Sequence, residues 1–240
     1  MRLASSVLLL AVAASAHAQT LLPTAEPAFC SPDVFLAHEV TEAGADGVQR
    51  LHSYRLGAVV LAGMAIGYSK ASAVARLAAA HGATSEERFC TWYVNDGNAE
   101  AERLFRHVYL PNPSFLSPDK AANIFGNRLG PYFTEERGSV WWCIEERGFV
   151  AVGCNGQKHR GPTAFGMLLA SLGCSPEHAA EIVNHVWGLN VVPAASRLAA
   201  IRRAYDLGAL QPALRSRLQQ RLSESPSSAP RPATSPEANK

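Results

Sequence analysis

Cys90 is the residue of this 240-residue chain whose type and setting best suit covalent chemistry. A cysteine thiol becomes an effective nucleophile when a neighbouring base takes its proton, and the base must lie within hydrogen-bond reach. His107 and His159 are the histidines that could serve, and the sequence spacing favours neither over the other. A structural role for Cys90, as half of a disulfide within the core, is the preferred interpretation.

A second set of side chains suits metal binding. His178, Glu181 and His185 stand at i, i+3 and i+7, so they share one face of a helix and could ligate a metal ion. No fourth ligand is evident, and a solvated polar face is the preferred interpretation. The chain also lacks a phosphate-binding glycine loop, a G-x-S-x-G elbow, H-E-x-x-H and C-x-x-C. No cofactor is therefore expected.

The segment Cys90-Thr-Trp-Tyr-Val resembles the nucleophile block of CHAP domains, cysteine- and histidine-dependent amidohydrolases that cut peptidoglycan. Further on, Arg147-Gly-Phe-Val-Ala-Val-Gly is similar to the strand that supplies the histidine of that family, with Phe149 at the histidine position. Together the two pieces cover about a dozen residues. The resemblance implies an alternative function, a cysteine-dependent amidase or peptidase that acts on peptidoglycan through Cys90.

The N-terminal segment has the form of a signal peptide. Arg2 supplies a positive charge, an apolar stretch runs from Val7 to Ala16, and Ala-His-Ala at 16–18 fits a signal-peptidase site. We expect residues 1–18 to be removed and the mature protein to be periplasmic or secreted. A later apolar run from Ala58 to Tyr68 is about half the ~20 residues that a membrane helix needs, so it is interpreted as a buried helix.

Five cysteines in an exported chain predict disulfides and at least one thiol outside them. In a hairpin over 139–154, Cys143 and Cys154 would lie about three rungs apart, roughly 10 Å, whereas a disulfide needs Cα atoms within about 7 Å. These two cysteines should therefore not bond to each other. Cys154 with Cys174 is the preferred pair, and Cys30 and Cys143 are the other candidates. Sequence alone leaves the connectivity open.

The motif Ser-Pro-Asp/Glu occurs three times, at residues 31–33, 117–119 and 175–177. Serine caps a helix, proline fits its first position and the acid faces the positive end of the helix dipole, so three helices should begin here. The last two copies continue similarly, which either shared capping chemistry or an old duplication would explain. Residues Asp46 to Ala80 should form one long helix or two, ending at Gly82. The next helical pieces should open at Ser85 and Asn98, and a short buried helix should end at Gly173.

The fold class expected from these patterns is mainly α (α+β), with seven or eight helices around one short antiparallel β-hairpin and disulfide ties. The hairpin would run from Ser139 to Glu145 and from Phe149 to Cys154, with Gly148 in the left-handed position of its turn. A single domain would cover residues 19–222, followed by a disordered Pro/Ser-rich tail over 223–240.

The preferred function is an exported helical binding module that engages a protein partner in the cell envelope or outside the cell, such as a toxin or enzyme that it inhibits. The weak net charge of +2 gives no support to nucleic-acid binding. Contact with an anionic surface is a secondary partner hypothesis, since the C-terminal helices are rich in arginine: Arg197, Arg202, Arg203, Arg215, Arg217 and Arg221. An enzyme is the less favoured class.

If the signal peptide is cleaved after Ala18, the exported protein begins at Gln19. The intact mass of the protein recovered from the periplasm or medium measures this directly. A mass that includes residues 1–18 would contradict the expectation.

Overall fold

A computed structural model describes residues 25–42, 45–83, 90–95, 103–187, 192 and 194–224. The expected signal peptide over 1–18, and the expected tail from residue 225 onward, lie outside the described residues. Within the described part of the chain, no helix is both long enough and apolar enough to cross a membrane.

A six-stranded mixed sheet organises the fold. Its strands are β1 Glu39–Val40, β2 His52–Leu56, β3 Val59–Ala65, β4 Thr91–Asn95, β5 Arg106–Tyr109 and β6 Phe149–Cys154. Their order across the sheet is β1-β2-β3-β6-β4-β5. The pairs β1–β2 and β2–β3 are antiparallel, whereas β3–β6, β6–β4 and β4–β5 are parallel.

The helices connect and cover these strands. The α-helices of the described residues are α1 Pro32–Ala37, α2 Ala71–Ala80, α3 Pro118–Leu129, α4 Val140–Trp142, α5 Arg160–Ser171, α6 Pro176–Trp187, α7 Ala194–Ala209 and α8 Pro212–Ser223. Short 3₁₀ turns occupy Ala28–Cys30, Ile66–Tyr68, Pro113–Phe115 and Gly130–Tyr132. Strands and helices alternate along much of the chain, as in α/β proteins.

The expectation of a mainly α fold is wrong, because the protein is α/β. The apolar run Ala58–Tyr68, interpreted as a buried helix, contains strand β3, every residue of which is buried. A continuous apolar run carries no period, so it fits a strand covered on both faces as well as it fits a buried helix. The helix expected between Asp46 and Ala80 exists only in its last third, as α2, which ends before Gly82.

The predicted hairpin is also wrong. Its first strand, Ser139 to Glu145, is helical instead, because α4 runs into a π-helical turn over Cys143–Arg147. The hydroxyl of Ser139 caps this segment by accepting a hydrogen bond from the Trp142 N–H at 3.0 Å. Gly148 does adopt the left-handed conformation, with φ of 59°, but it ends the helical turn. The second strand is β6, and its neighbours are β3 and β4.

The three Ser-Pro-Asp/Glu motifs do begin helices, since α1, α3 and α6 each start at the proline. Gly173, with φ of 117°, follows α5 as expected. The expected helix openings at Ser85 and Asn98 lie outside the described residues. The proline at the first helical position therefore identified these helix starts correctly. The expected serine cap forms only at Ser175, whose hydroxyl accepts a hydrogen bond from the His178 N–H at 3.3 Å, whereas Ser31 and Ser117 make no side-chain capping hydrogen bond.

Helices cover both faces of the sheet. Phe165 of α5 packs against Tyr54 of β2, and the Tyr54 face of the sheet includes Val150 of β6. On the other face, the ring of His81 at the end of α2 stacks on Phe149, with centroids 4.7 Å apart. Helix α5 packs in turn on α6 and α7, and α3 packs on α7, which gives that side a second helical layer.

Gly148 should be far less tolerant of substitution than Gly82. Both have positive φ, so Gly→Ala strains either backbone by about 1–2 kcal/mol. A Cβ at Gly148 would also lie 2.7 Å from the Ala58 carbonyl oxygen, whereas a Cβ at Gly82 meets no atom within 4 Å. We expect Gly148→Ala to lower the free energy of unfolding by at least ~1 kcal/mol more than Gly82→Ala. Urea denaturation measures both, and equal losses would show that the contact with Ala58 is unimportant.

Candidate functional site

Cys90 is not a free thiol in the structure. It forms a disulfide with Cys143 and is fully buried at the amino end of β4. His107 lies on β5 with its Nε2 3.2 Å from the Asn95 carbonyl oxygen, and His159 lies beyond the carboxyl end of β6, just before α5. Cys90 and His159 therefore lie at opposite ends of the parallel strands. The structure does not assemble the nucleophile and base that a cysteine hydrolase would require.

The disulfides differ from the preferred pairing of Cys154 with Cys174. Cys30 bonds to Cys174, which ties the segment before α1 to the segment before α6. The remaining cysteine, Cys154, is a free thiol with 3% of its surface exposed. Cys143 and Cys154 are not bonded to each other, but the geometric reason differs from the expected one, since the hairpin does not exist.

The three residues considered for metal binding do not converge on one point. His178 is engaged elsewhere, with its Nδ1 3.0 Å from the Glu26 carboxylate, while Glu181 and His185 are exposed. Burial alone would raise the pKa of Glu26, but hydrogen bonds from the Ser175 N–H and from His178 outweigh burial and lower it. Across the described residues, no group of three or more His, Cys, Asp or Glu side chains could hold a metal ion.

Two of the arginines considered as a basic face are buried. Arg197 is 2% exposed and donates to the side chain of Asn184 and to the Val192 carbonyl. This burial lowers the pKa of Arg197, because desolvation disfavours its charged form. Arg215 is 8% exposed and lies over the ring of Tyr205, 4.6 Å from its centroid.

The other four arginines contact the protein itself. Arg202 pairs with Glu177 at 2.6 Å, and Arg217 pairs with Glu135 and Glu145. The Nε of Arg221 donates to the Ile144 carbonyl at 3.0 Å, and the side chain of Arg203 lies against Gly126. These residues connect α7 and α8 to the rest of the fold, so the structure gives no support to a continuous basic surface.

The carboxyl edge of the parallel strands is where α/β proteins commonly bind ligands. In this protein a buried hydrogen-bond chain occupies part of that edge. The Tyr93 hydroxyl donates to Oδ1 of Asn155, and it accepts a hydrogen bond from Nδ2 of Asn95 at 2.7 Å. Tyr93 and Asn95 are fully buried, so these groups stabilise one another rather than facing an open site.

The neighbouring part of the same edge is also filled. The indole of Trp187 lies directly on Gly63, where a Cβ would be 2.3 Å from its ring. Gln157, 1% exposed, accepts a hydrogen bond from the Cys154 N–H at 3.2 Å. His159 follows in the same loop, and burial, then Arg160 and Lys158, lower its pKa. Among the described residues, the protein's own side chains thus occupy this part of the common ligand position of the fold.

A groove of about 540 Å³ lies elsewhere, at the lateral edge of the sheet that the antiparallel strand β1 forms. It runs between α1, the edge strand β1, the end of β2 and the end of α8. Its buried apolar lining comes from Phe29, Leu56 and Leu222, and Val34 stands at its side with 40% of its surface exposed. We refer to it as the edge groove. Its lining combines apolar surface with a sheet edge, a combination that suits recognition of another chain.

Sequence reasoning missed the edge groove entirely. It is formed by short segments from residues 28–40, 55–57 and 222–224, which become neighbours only in the folded protein. Comparisons with protein-family models, with curated proteins and with solved structures give no match to this chain.

Two buried tyrosines provide a test of the hydrogen-bond chain. Tyr93→Phe removes the hydroxyl between Asn95 and Asn155 and should cost about 1–3 kcal/mol of unfolding free energy, since the buried amides lose their partner. Tyr54 is equally buried, but its hydroxyl makes no hydrogen bond with any described residue, so Tyr54→Phe should be nearly neutral. Thermal unfolding of the two variants measures the difference, and equal melting temperatures would refute the role assigned to the chain.

Proposed function

We propose that the protein is an exported binding module that engages a protein partner through the edge groove. The observation that carries this proposal is the groove itself, an open surface with a buried apolar floor beside the edge strand of the sheet. Among the described residues, β1 pairs on one side only, and apolar side chains line the groove beside it. A free strand edge beside apolar side chains is a feature that soluble proteins usually protect, and another chain could cover it.

Two features support export. The first 18 residues have the form of a signal peptide, and two disulfides crosslink the fold. Disulfides persist in the periplasm and outside the cell, whereas the cytosol keeps most thiols reduced. A periplasmic or secreted location places the edge groove where envelope proteins and secreted proteins are available as partners.

The walls of the groove come from parts of the chain that the disulfide Cys30–Cys174 and tight packing hold in place. Phe29 precedes the disulfide cysteine, and the end of α8 packs so closely on Gly57 that a Cβ there would lie 2.6 Å from the Arg221 carbonyl oxygen. A surface held in its binding conformation before association loses less conformational entropy on binding. This supports recognition by a largely preformed site.

The proposal is tested by selecting binders from a displayed library of random peptides on the full exported chain. Peptides that occupy the edge groove should bind Val34→Asp at least about tenfold more weakly, because the new carboxylate would be desolvated against an apolar partner. Phe115→Asp is the matched control, since Phe115 is 85% exposed and lies outside the groove. Binding is measured by isothermal titration calorimetry.

Peptides that bind both variants as tightly as the native protein would place the interaction elsewhere and overturn the proposal, as would a library that yields no binder. Binding of small apolar molecules but of no peptide would also count against it, because a groove of this volume falls within the ~300–1,000 Å³ of small-molecule sites. Circular dichroism of both variants confirms that each is folded before binding is compared.

A further inference from the structure

We infer that the occupant of the edge groove is an extended segment of the partner that adds as a strand beside β1 and presents an acidic side chain to Arg55. The inference rests on the proposed function and specifies the chemistry of the partner. It comes from the hydrogen-bond register of β1 and from the charges that line the groove.

The backbone of β1 has groups that face away from the sheet. The Arg55 N–H donates to the His38 carbonyl at 2.9 Å, which makes His38 and Arg55 a hydrogen-bonded antiparallel pair. Val40 and Ser53, two residues further along, form the next pair of that kind, and Glu39 lies opposite Tyr54 between them. The N–H and C=O of Glu39 therefore point away from β2, toward the open edge of the sheet.

This edge suits strand addition. Strand β1 has two residues and is the last strand of the sheet on its side. A peptide that aligns with β1 could pair with Glu39 through its own backbone and place alternate side chains toward the groove. The peptide side chains that point into the groove would contact Phe29, Leu56 and Leu222, so these peptide side chains should be apolar.

The charges of the groove favour an acidic group at one position. Arg55 is exposed, lines the groove and makes no ion pair with any described residue. Glu39, also in the lining, is already engaged, since its Oε1 lies 2.8 Å from the Nδ1 of His52. Arg55 is thus the cation of the lining that remains available to a partner's carboxylate.

The end of the groove near α8 is negatively charged, whereas Arg55 is positively charged. Glu224 lines it directly after the last residue of α8, where the carboxyl end of the helix dipole is also negative. An acidic side chain should be favoured at Arg55 and disfavoured near Glu224. The bound segment therefore has a preferred position along the groove as well as a preferred charge.

The experiment uses the selected peptides and three substitutions, two at the exposed Arg55 and one at the half-buried Glu224. Peptides should be enriched in Asp or Glu at one position. Arg55→Glu should weaken the best acidic peptide about 5- to 20-fold, since a partly exposed attraction becomes a repulsion, whereas Arg55→Lys should retain most of the affinity. Exchanging the acid of the peptide for lysine should restore binding to Arg55→Glu. Glu224→Gln should strengthen the acidic peptide about 2-fold.

Hydrogen exchange tests whether the peptide adds as a strand beside β1. Binding should slow hydrogen exchange of the Glu39 amide, while the amide of Val60, already bonded to the Gly148 carbonyl at 2.8 Å, serves as the internal reference. A peptide methylated on the backbone nitrogen that pairs with Glu39 should lose binding. A chain ending at Glu224 should bind as the full chain does, which shows that residues 225–240 are not the occupant.

The outcomes separate the two levels of the proposal. If peptides bind and Val34→Asp weakens them, but Arg55→Glu has no effect and the Glu39 amide exchanges unchanged, the inference is overturned and the proposed function stands. If Val34→Asp weakens the binding of no peptide, both the inference and the proposed function are overturned. Tighter peptide binding by the chain ending at Glu224 would make the protein's own tail a competing occupant and would overturn the inference that the native ligand is a partner segment.

Discussion

The fold depends on the position of β6 at the centre of the sheet. All six residues of Phe149–Cys154 are buried, and they pair with β3 on one side and β4 on the other, in parallel register. Burying a side chain such as Phe149 or Val150 contributes ~1.5–3 kcal/mol, which offsets the ~1–2 kcal/mol of backbone entropy lost per ordered residue. A strand buried on both faces requires helices on both sides, and this requirement fixes the positions of α2 and α5.

The polar residues of the helical layers act mainly as structural connections. Arg197 and Arg215 are buried, and Arg202, Arg217 and Arg221 contact side chains or carbonyl groups on other elements. A buried guanidinium is costly unless its donors are used, so the hydrogen bonds of Arg197 compensate in part for its desolvation. The arginine content of α7 and α8 therefore reflects packing against the rest of the protein.

The carboxyl ends of the parallel strands and the lateral edge at β1 differ in how much of their surface a ligand could reach. At the carboxyl edge of the parallel strands, the Tyr93–Asn155 hydrogen bond and the indole of Trp187 on Gly63 fill the place where many α/β proteins bind a ligand. At the antiparallel edge, β1 ends after two residues and α8 ends beside it, which leaves the edge groove open. The proposed recognition of another chain rests on this groove.

The local features of the protein follow from short stretches of its sequence. The starts of α1, α3 and α6, the left-handed Gly148 and the ends of α2 and α5 were predictable, because a proline at the first helical position and a glycine with positive φ act through a few adjacent residues. The expectation of disulfides followed from the cysteine count and the expected signal peptide. Only the tertiary structure decided which cysteines pair, since Cys30 and Cys174 are 144 residues apart in the chain.

Tertiary structure also decided the fold class and the candidate site. The apolar runs of β3 and of Ser139–Glu145 have no helical or strand period, so their conformation depends on what covers them: β3 pairs with β6, whereas Ser139 caps a helical turn. The edge groove brings Val34, Arg55 and Glu224 together from distant parts of the chain. No pattern of adjacent residues encodes such a surface, because it is created by the contacts between elements and not by any one of them.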